Sequence, residues 1–251
     1  MGSIRRARPR SRGRTLSDQP VSSRNRAWPV LERRGSAALL HASAPDPGGH
    51  RLACVCFPVS PAVVIGSAQP ASDFDADRMS LAGVGLARRR SGGGAVLVAP
   101  GCQLWLDVFV PSDDVLAQPD VGKSFHWLGD AFAQAIAAVL GTSAGELGIV
   151  AHRGSVQTSP WSKVLCYAGL GAGEVTVAGR KVVGMSQRRE RSGAWIYSMA
   201  LIGGQARDLA DLLTGDEERR AKARKVLDGV GLAEADYFAE ALTEEILSRL
   251  P

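Results

Sequence analysis

The chain has 251 residues, a hydrophobic fraction of 45% and a formal net charge of +5, figures that suit one catalytic domain with appendages. No apolar run reaches the roughly 18 residues of a membrane-spanning helix, which argues against a membrane role. The charge is uneven: residues 1–34 hold ten arginines against Asp18 and Glu32, a surplus of eight, which leaves a net of three negative charges on the rest. A nucleic-acid function is therefore not implied for the fold.

Residues 1–34 are arginine- and serine-rich with few apolar side chains, and are expected to form a basic disordered tail. An extended N-terminus is favoured over a transit-like leader or a nucleic-acid contact, and no apolar segment of a secretory signal is present. A short helix is predicted over Ser36–Ala44, then a Pro/Gly loop over Pro45–His50. Arg51–Phe57 and Ala62–Gly66 read as strands, Asp73–Ala82 as a short helix with an aspartate N-cap, and Val84–Arg89 as a strand. Ala95–Ala99 and Gln103–Val110 read as a hairpin. In the second strand Leu104, Leu106 and Val108 share one face, and Trp105, Asp107 and Phe109 the other. Gly122–Leu140 carries apolar residues at helical spacing and ends at Gly141. Strands follow at Leu147–Ala151, Val164–Ala168, Val175–Val177, Val182–Gln187 and Trp195–Ile202, and the pattern turns helical from Ala206. Runs of strands with few helices between them predict an α+β fold with a mixed, largely antiparallel sheet. The expected division is a tail over 1–34, a catalytic domain over 35–204 and a short helical C-terminal extension over 205–251.

Cys54, Cys56, Cys102 and Cys166 lack the paired spacing of a zinc or redox site. Cys54 and Cys56 lie two apart in an apolar strand and should be buried. Reduced thiols point to a cytoplasmic compartment, and no metal is expected.

Two segments carry the functional reading. Arg88-Arg89-Arg90-Ser91-Gly92-Gly93-Gly94-Ala95-Val96 joins three cations to three glycines between strand-like runs. Glycines let a backbone approach a ligand, and arginines supply charge-assisted contacts to phosphate or carboxylate. Taken alone, the loop is as well explained by a solvated hairpin. The second segment is Gly179-Arg180-Lys181-Val182-Val183-Gly184-Met185-Ser186-Gln187-Arg188-Arg189, which leaves a two-residue turn at Ala178-Gly179. In this order the two segments resemble the lipoate–protein ligase A / octanoyltransferase (biotin/lipoate A/B protein ligase) superfamily, with its RRxSGGGAV loop and its later GRK-x-x-G-x-x-Q-R-R strand. The resemblance covers roughly residues 50–204.

That resemblance implies a biotin/lipoate ligase-like catalytic domain. It gives Lys181 the role of holding the acyl carbonyl or an adenylate phosphate, a task suited to a fixed ammonium because negative charge develops on that oxygen. An exposed hairpin lysine is the plain alternative. Cys166-Tyr167 resembles the Cys-Phe pair of cysteine octanoyltransferases and makes Cys166 a candidate nucleophile, with a small buried residue as its alternative. Arg89, Arg90, Ser91, Gly92, Gly93 and Gly94 would line the acyl pocket, and Gly184 and Gln187 would abut the chain. Asp107 and His152 are expected to be structural. Trp195–Ile202 lacks the His-Gly-Thr-Leu-Leu run of many ligases, and Pro100–Trp105 lacks their Gly-Asn-Leu-Asn turn. The biotin-ligase loop is absent.

The implied activity is protein lipoylation: transfer of an octanoyl or lipoyl group to a lysine ε-amine on a lipoyl carrier domain. Glycine cleavage H protein and 2-oxoacid dehydrogenase E2 subunits are the implied acceptors. The preferred route uses octanoyl-acyl carrier protein and a Cys166 thioester, with no cofactor. The alternatives are a ligase using free lipoate with ATP and Mg, and a non-catalytic acyl- or carrier-binding relative.

Overall fold

The structure, a computed structural model, describes residues 15–21, 27–232 and 238–251. In chain order the strands are β1 (Ser17–Val21), β2 (Val30–Gly35), β3 (Leu52–Pro58), β4 (Ala62–Ile65), β5 (Gly85–Arg88), β6 (Val96–Val98), β7 (Gln103–Pro111), β8 (Val150–Ala151), β9 (Val175–Val177), β10 (Arg180–Glu190) and β11 (Gly193–Leu201). The α-helices are α1 (Ala37–Ala42), α2 (Ala76–Leu81), α3 (His126–Val139), α4 (Asp208–Asp211), α5 (Glu217–Val226) and α6 (Phe238–Ser248). Among the described residues one sheet has eight strands in the order β1-β2-β3-β7-β11-β10-β9-β8, and another has three in the order β5-β4-β6. Among the described strand pairs, β2–β3 and β4–β5 are parallel and the rest antiparallel. The expected α+β class with a mixed, largely antiparallel sheet is the one observed.

Period-two alternation splits the core between the faces of the large sheet. Leu104, Leu106, Val108 and Val110 of β7 face helices α3 and α6, where Leu128, Phe132, Ile136, Leu242 and Ile246 complete one apolar cluster. Trp105 and Phe109 face the other way, into a cluster shared with β4, β6, α1, α4 and α5. Truncating a core ring such as Phe132, which is fully buried, typically costs about 3–5 kcal/mol.

Three expectations need correction. The stretch 1–34, read as a disordered tail, contains β1 and all of β2 but its last residue. Its density of arginine hid a buried minority: Trp28, Val30 and Arg33 are interior. The Arg33 charge is answered by Asp18 at 3.1 Å and the Ser43 carbonyl at 2.7 Å, as a buried cation requires. Residues 1–14 and 22–26 lie outside the described residues. Second, β6 and β7 do not form a hairpin: β6 pairs with β4, while β7 pairs with β3 and β11. Gln103 mimics one by bonding the Ala99 N–H and carbonyl at 3.0 and 2.8 Å. Third, Val164–Ala168 is not a regular strand; it makes a single bridge, Ala95 to Leu165, and then a 3-10 turn over Cys166–Ala168.

The helices after residue 204 share both cores with the strands. The Ala178-Gly179 turn is as expected: both residues have positive φ, 48° and 76°, the geometry of a two-residue hairpin turn. No helix among the described residues is long and apolar enough to cross a membrane.

Candidate functional site

The parallel β4–β5 pair delivers the chain to the glycine loop. Arg88 pins that loop's neighbour by donating to the carbonyls of Gly66, Ser67 and Gln69 at 2.9, 3.0 and 2.7 Å. Arg89 folds back across the loop and donates to the carbonyls of Gly92 and Gly94, each at 2.8 Å. Two glycines do work here that other residues could not. Gly93 has φ +98°, and a Cβ on Gly94 would stand 2.6 Å from the Leu165 nitrogen. That close approach lets the Ala95 N–H donate to the Val164 carbonyl at 2.8 Å and the Cys166 N–H donate to the Ala95 carbonyl at 2.9 Å. The loop is thereby stitched to the turn that carries Cys166. Both terminal nitrogens of Arg89 lie 3.9 Å from the Cys166 sulfur, so a fixed cation stands beside it.

Lys181 rises from β10 toward the same turn. Its Nζ donates to the carbonyls of Cys166 and Gly169 at 3.0 and 3.1 Å and pairs with Glu174 at 2.7 Å. All three ammonium hydrogens are thus committed. Lys181 is 7% exposed and Glu174 5%, so the exposed-lysine alternative fails on burial. The second oxygen of Glu174 accepts from the Met185 N–H at 2.9 Å, while the first also accepts from Gly171 N–H at 2.6 Å.

Sequence reasoning missed Glu174. A register shift between Lys181 and Val183 in the β9–β10 ladder breaks the pairing a reader would extrapolate from the turn. A carboxylate at the head of the first hairpin strand was the one available signal.

Arg89, Gly92, Gly93, Gly94, Cys166, Glu174 and Lys181 line one cleft of about 660 Å³. A narrower cavity of about 40 Å³ adjoins it, and Arg89, Cys166, Met185 and Ser186 line both. Gly184 lines the inner cavity, and a Cβ there would lie 3.3 Å from the Tyr167 hydroxyl and 3.4 Å from Lys181 Cε. Ser91 is buried with its hydroxyl 2.9 Å from that of Ser186, so it braces the wall.

Two expected residues lie elsewhere. Arg90 turns away and donates to the Ala42 carbonyl at 2.6 Å. Gln187 lines a separate cavity of about 320 Å³ and accepts from Arg189 at 3.0 Å. Cys54 and Cys56 are buried, and burial pushes both thiols up, which marks them as inert. Among the described residues no three His, Cys, Asp or Glu side chains cluster as metal ligands.

Trp105, a wall residue of the inner cavity, contacts a buried carboxylate. Asp107 is buried, and burial pushes its carboxyl up to about 7 against the pull of Trp105 Nε1, which donates to it at 2.8 Å. His41 packs its ring on Trp105 with centroids 4.5 Å apart.

Residues 47–234 match the family described as the lipoyl protein ligase A/B catalytic domain. The chain belongs to that family. It is similar to a chain from the structural analysis of an archaeal lipoylation system, a bipartite lipoate protein ligase and its E2 lipoyl domain from Thermoplasma acidophilum, at 22% identity over 84% of this chain and 74% of that one, with a TM-score of 0.57. It is similar to the putative T. acidophilum lipoate protein ligase with bound lipoic acid at 18% identity, 86% and 92% coverage and a TM-score of 0.53. A lipoate-protein ligase A bound with ATP matches at 18% identity, 88% and 93% coverage and a TM-score of 0.52. At these identities the structural likeness speaks for the fold. No curated protein matches the chain. Membership of the lipoyl protein ligase A/B family makes protein lipoylation the general activity of this domain.

Proposed function

We propose that this lipoyl protein ligase A/B domain transfers an octanoyl or lipoyl group from a thioester donor, through Cys166, to a lysine on a lipoyl carrier domain. One observation carries the reading: the Cys166 sulfur sits between a cleft and an apolar cavity, 3.9 Å from both terminal nitrogens of Arg89. The Cys166 thiolate attacks the donor carbonyl, a new C–S bond forms, and the donor thiol leaves. The carrier lysine amine then attacks the acyl-Cys166 carbonyl from the cleft. An amide forms, Cys166 leaves as thiolate, and the amine proton passes to solvent.

Arg89 stabilises the thiolate at both ends of the cycle. Lys181 holds the turn through the Cys166 carbonyl, and exchanging one of its carbonyl bonds would let its ammonium meet the acyl oxygen. The acyl tail would occupy the inner cavity. That cavity is narrow, and an eight-carbon chain needs Met185 and Met199 to swing aside, which unbranched thioethers do readily. Glycine cleavage H protein and 2-oxoacid dehydrogenase E2 domains are the proposed acceptors, and octanoyl-acyl carrier protein the proposed donor.

The ligase route fits these residues less well. Arg90 points away from the cleft and is held by the Ala42 carbonyl, so it offers no free charge to a nucleotide phosphate. The deciding assay supplies a lipoyl domain with octanoyl-acyl carrier protein alone, or with lipoate and Mg-ATP. Product from the thioester donor alone, lost in Cys166→Ala, is the expected result. Product only with ATP, retained in Cys166→Ala, would establish the ligase instead.

A further inference from the structure

Helix α1 precedes residues 47–234, the stretch matched by the family. It begins at Ser36, whose hydroxyl accepts from the Leu39 N–H at 3.3 Å, and its last turn brings His41 to the wall of the inner cavity beside Trp105. The wall mixes apolar side chains, Val64, Val96, Trp105 and Met199 among them, with polar ones. Arg89, Ser186 and Ser198 spend their polar groups on partners within the protein, whereas His41 Nε2 is buried without a hydrogen-bond partner.

A buried polar atom left unmet costs free energy, and such atoms are uncommon in folded proteins. Burial first, and the Arg89 charge second, push His41 down to about 3, so the ring is neutral at physiological pH. A neutral imidazole carries one N–H donor and one acceptor nitrogen. His41 does not line the cleft, whereas Arg89, Cys166, Met185 and Ser186 line cleft and cavity together. A group that enters past Cys166 therefore meets His41 at the inner end.

We propose that His41 is a specificity-determining residue for the acyl group, favouring a chain whose far end carries a polar or polarisable atom, such as the sulfurs of a lipoyl dithiolane, over one ending in methyl, such as octanoyl. This rests on the acyl-transfer reading above, in which an octanoyl chain is still accepted but held more weakly than a lipoyl chain. A terminal methyl leaves the imidazole nitrogen unmet, whereas a ring sulfur can accept its hydrogen. Leaving one buried polar group unpaired corresponds to roughly 5- to 150-fold in affinity. Sulfur is a weak acceptor, so the low end, about tenfold, applies.

The test is calorimetric titration of the full chain with free lipoate and with free octanoate. The wild type should bind lipoate about tenfold more tightly. His41→Leu should bring the two acids within about twofold, chiefly by weakening lipoate, and His41→Gln, which restores a donor and an acceptor, should recover the preference. An unchanged preference in His41→Leu, or no preference in the wild type, would overturn the proposal while leaving the acyl cavity in place. Failure of a folded wild-type protein to bind either acid would overturn both the proposal and the cavity assignment.

Discussion

The floor of the cleft and the end of the inner cavity bury polar groups in opposite ways. On the floor every donor and acceptor is matched: Lys181 spends three hydrogens on Glu174 and two carbonyls, and Glu174 takes two backbone N–H groups besides. At the cavity end His41 Nε2 has no partner. A fully satisfied network rigidifies what it touches, here the Cys166 turn. An unsatisfied group is a vacancy in the hydrogen-bond accounting that a ligand can fill. On the proposed reading, the two adjoining spaces are a rigid anchor for chemistry and a selective end for recognition.

The largest effect should come from breaking the satisfied end. Glu174→Leu leaves the Lys181 ammonium buried and unpaired, which should cost about 3–5 kcal/mol in urea unfolding. His41→Leu at the other end replaces an unmet polar group by an apolar one, and should stay within about 1 kcal/mol of wild type at neutral pH. Equal costs at the two positions would erase the contrast.

A smaller loss of stability is expected where the two spaces meet. Gly94→Ala drives a Cβ into the Leu165 backbone at 2.6 Å, which should cost about 1–3 kcal/mol. By displacing the Cys166 turn it should slow acyl transfer about 100-fold. A variant with full activity would show that the stitch between loop and turn does not position the sulfur.

The smallest effect is a pH dependence. Unfolded histidine titrates near 6.5 and His41 near 3, so between those values the unfolded chain binds the extra proton. The stability tied to neutral His41 is present above about pH 6.5 and is lost as pH falls toward 3. Asp107 runs the other way: its carboxyl titrates near 7 folded against 3.8 unfolded, so its contribution is largest below 3.8 and declines as pH rises toward 7. The two slopes oppose each other across the mildly acidic range. His41→Leu removes one of them, so its melting temperature relative to wild type should be higher at pH 5 than at pH 7.5. A parallel pair of melting curves at the two pH values would contradict the burial of a neutral His41.

What could be read from sequence was what is local. Three consecutive glycines and a lysine behind a two-residue turn announce themselves, and both lie at the site. The turn also fixed the start of β10, so Lys181 could be placed on a strand. Direction could not be read. Arg90 and Arg89 are adjacent, yet one reaches the Ala42 carbonyl and the other the Cys166 sulfur. Gln187 sits on the same strand as Lys181 but lines a different cavity. Glu174 was hidden by the register shift after Lys181, and His41 by its place in a helix whose packing on Trp105 is a tertiary fact. The basic N-terminal stretch misled because charge density says little about a strand whose Trp28 and Arg33 are interior. The predicted strand at Val164–Ala168 failed for a related reason: one bridge to Ala95 suffices to hold the turn that carries Cys166.

The most direct test of the Cys166 route is intact-protein mass spectrometry after mixing the chain with octanoyl-acyl carrier protein in the absence of ATP. A single octanoyl adduct, released by hydroxylamine and absent from Cys166→Ala, is the predicted result. A folded wild-type protein that acquires no adduct, or an adduct that persists in Cys166→Ala, would contradict it.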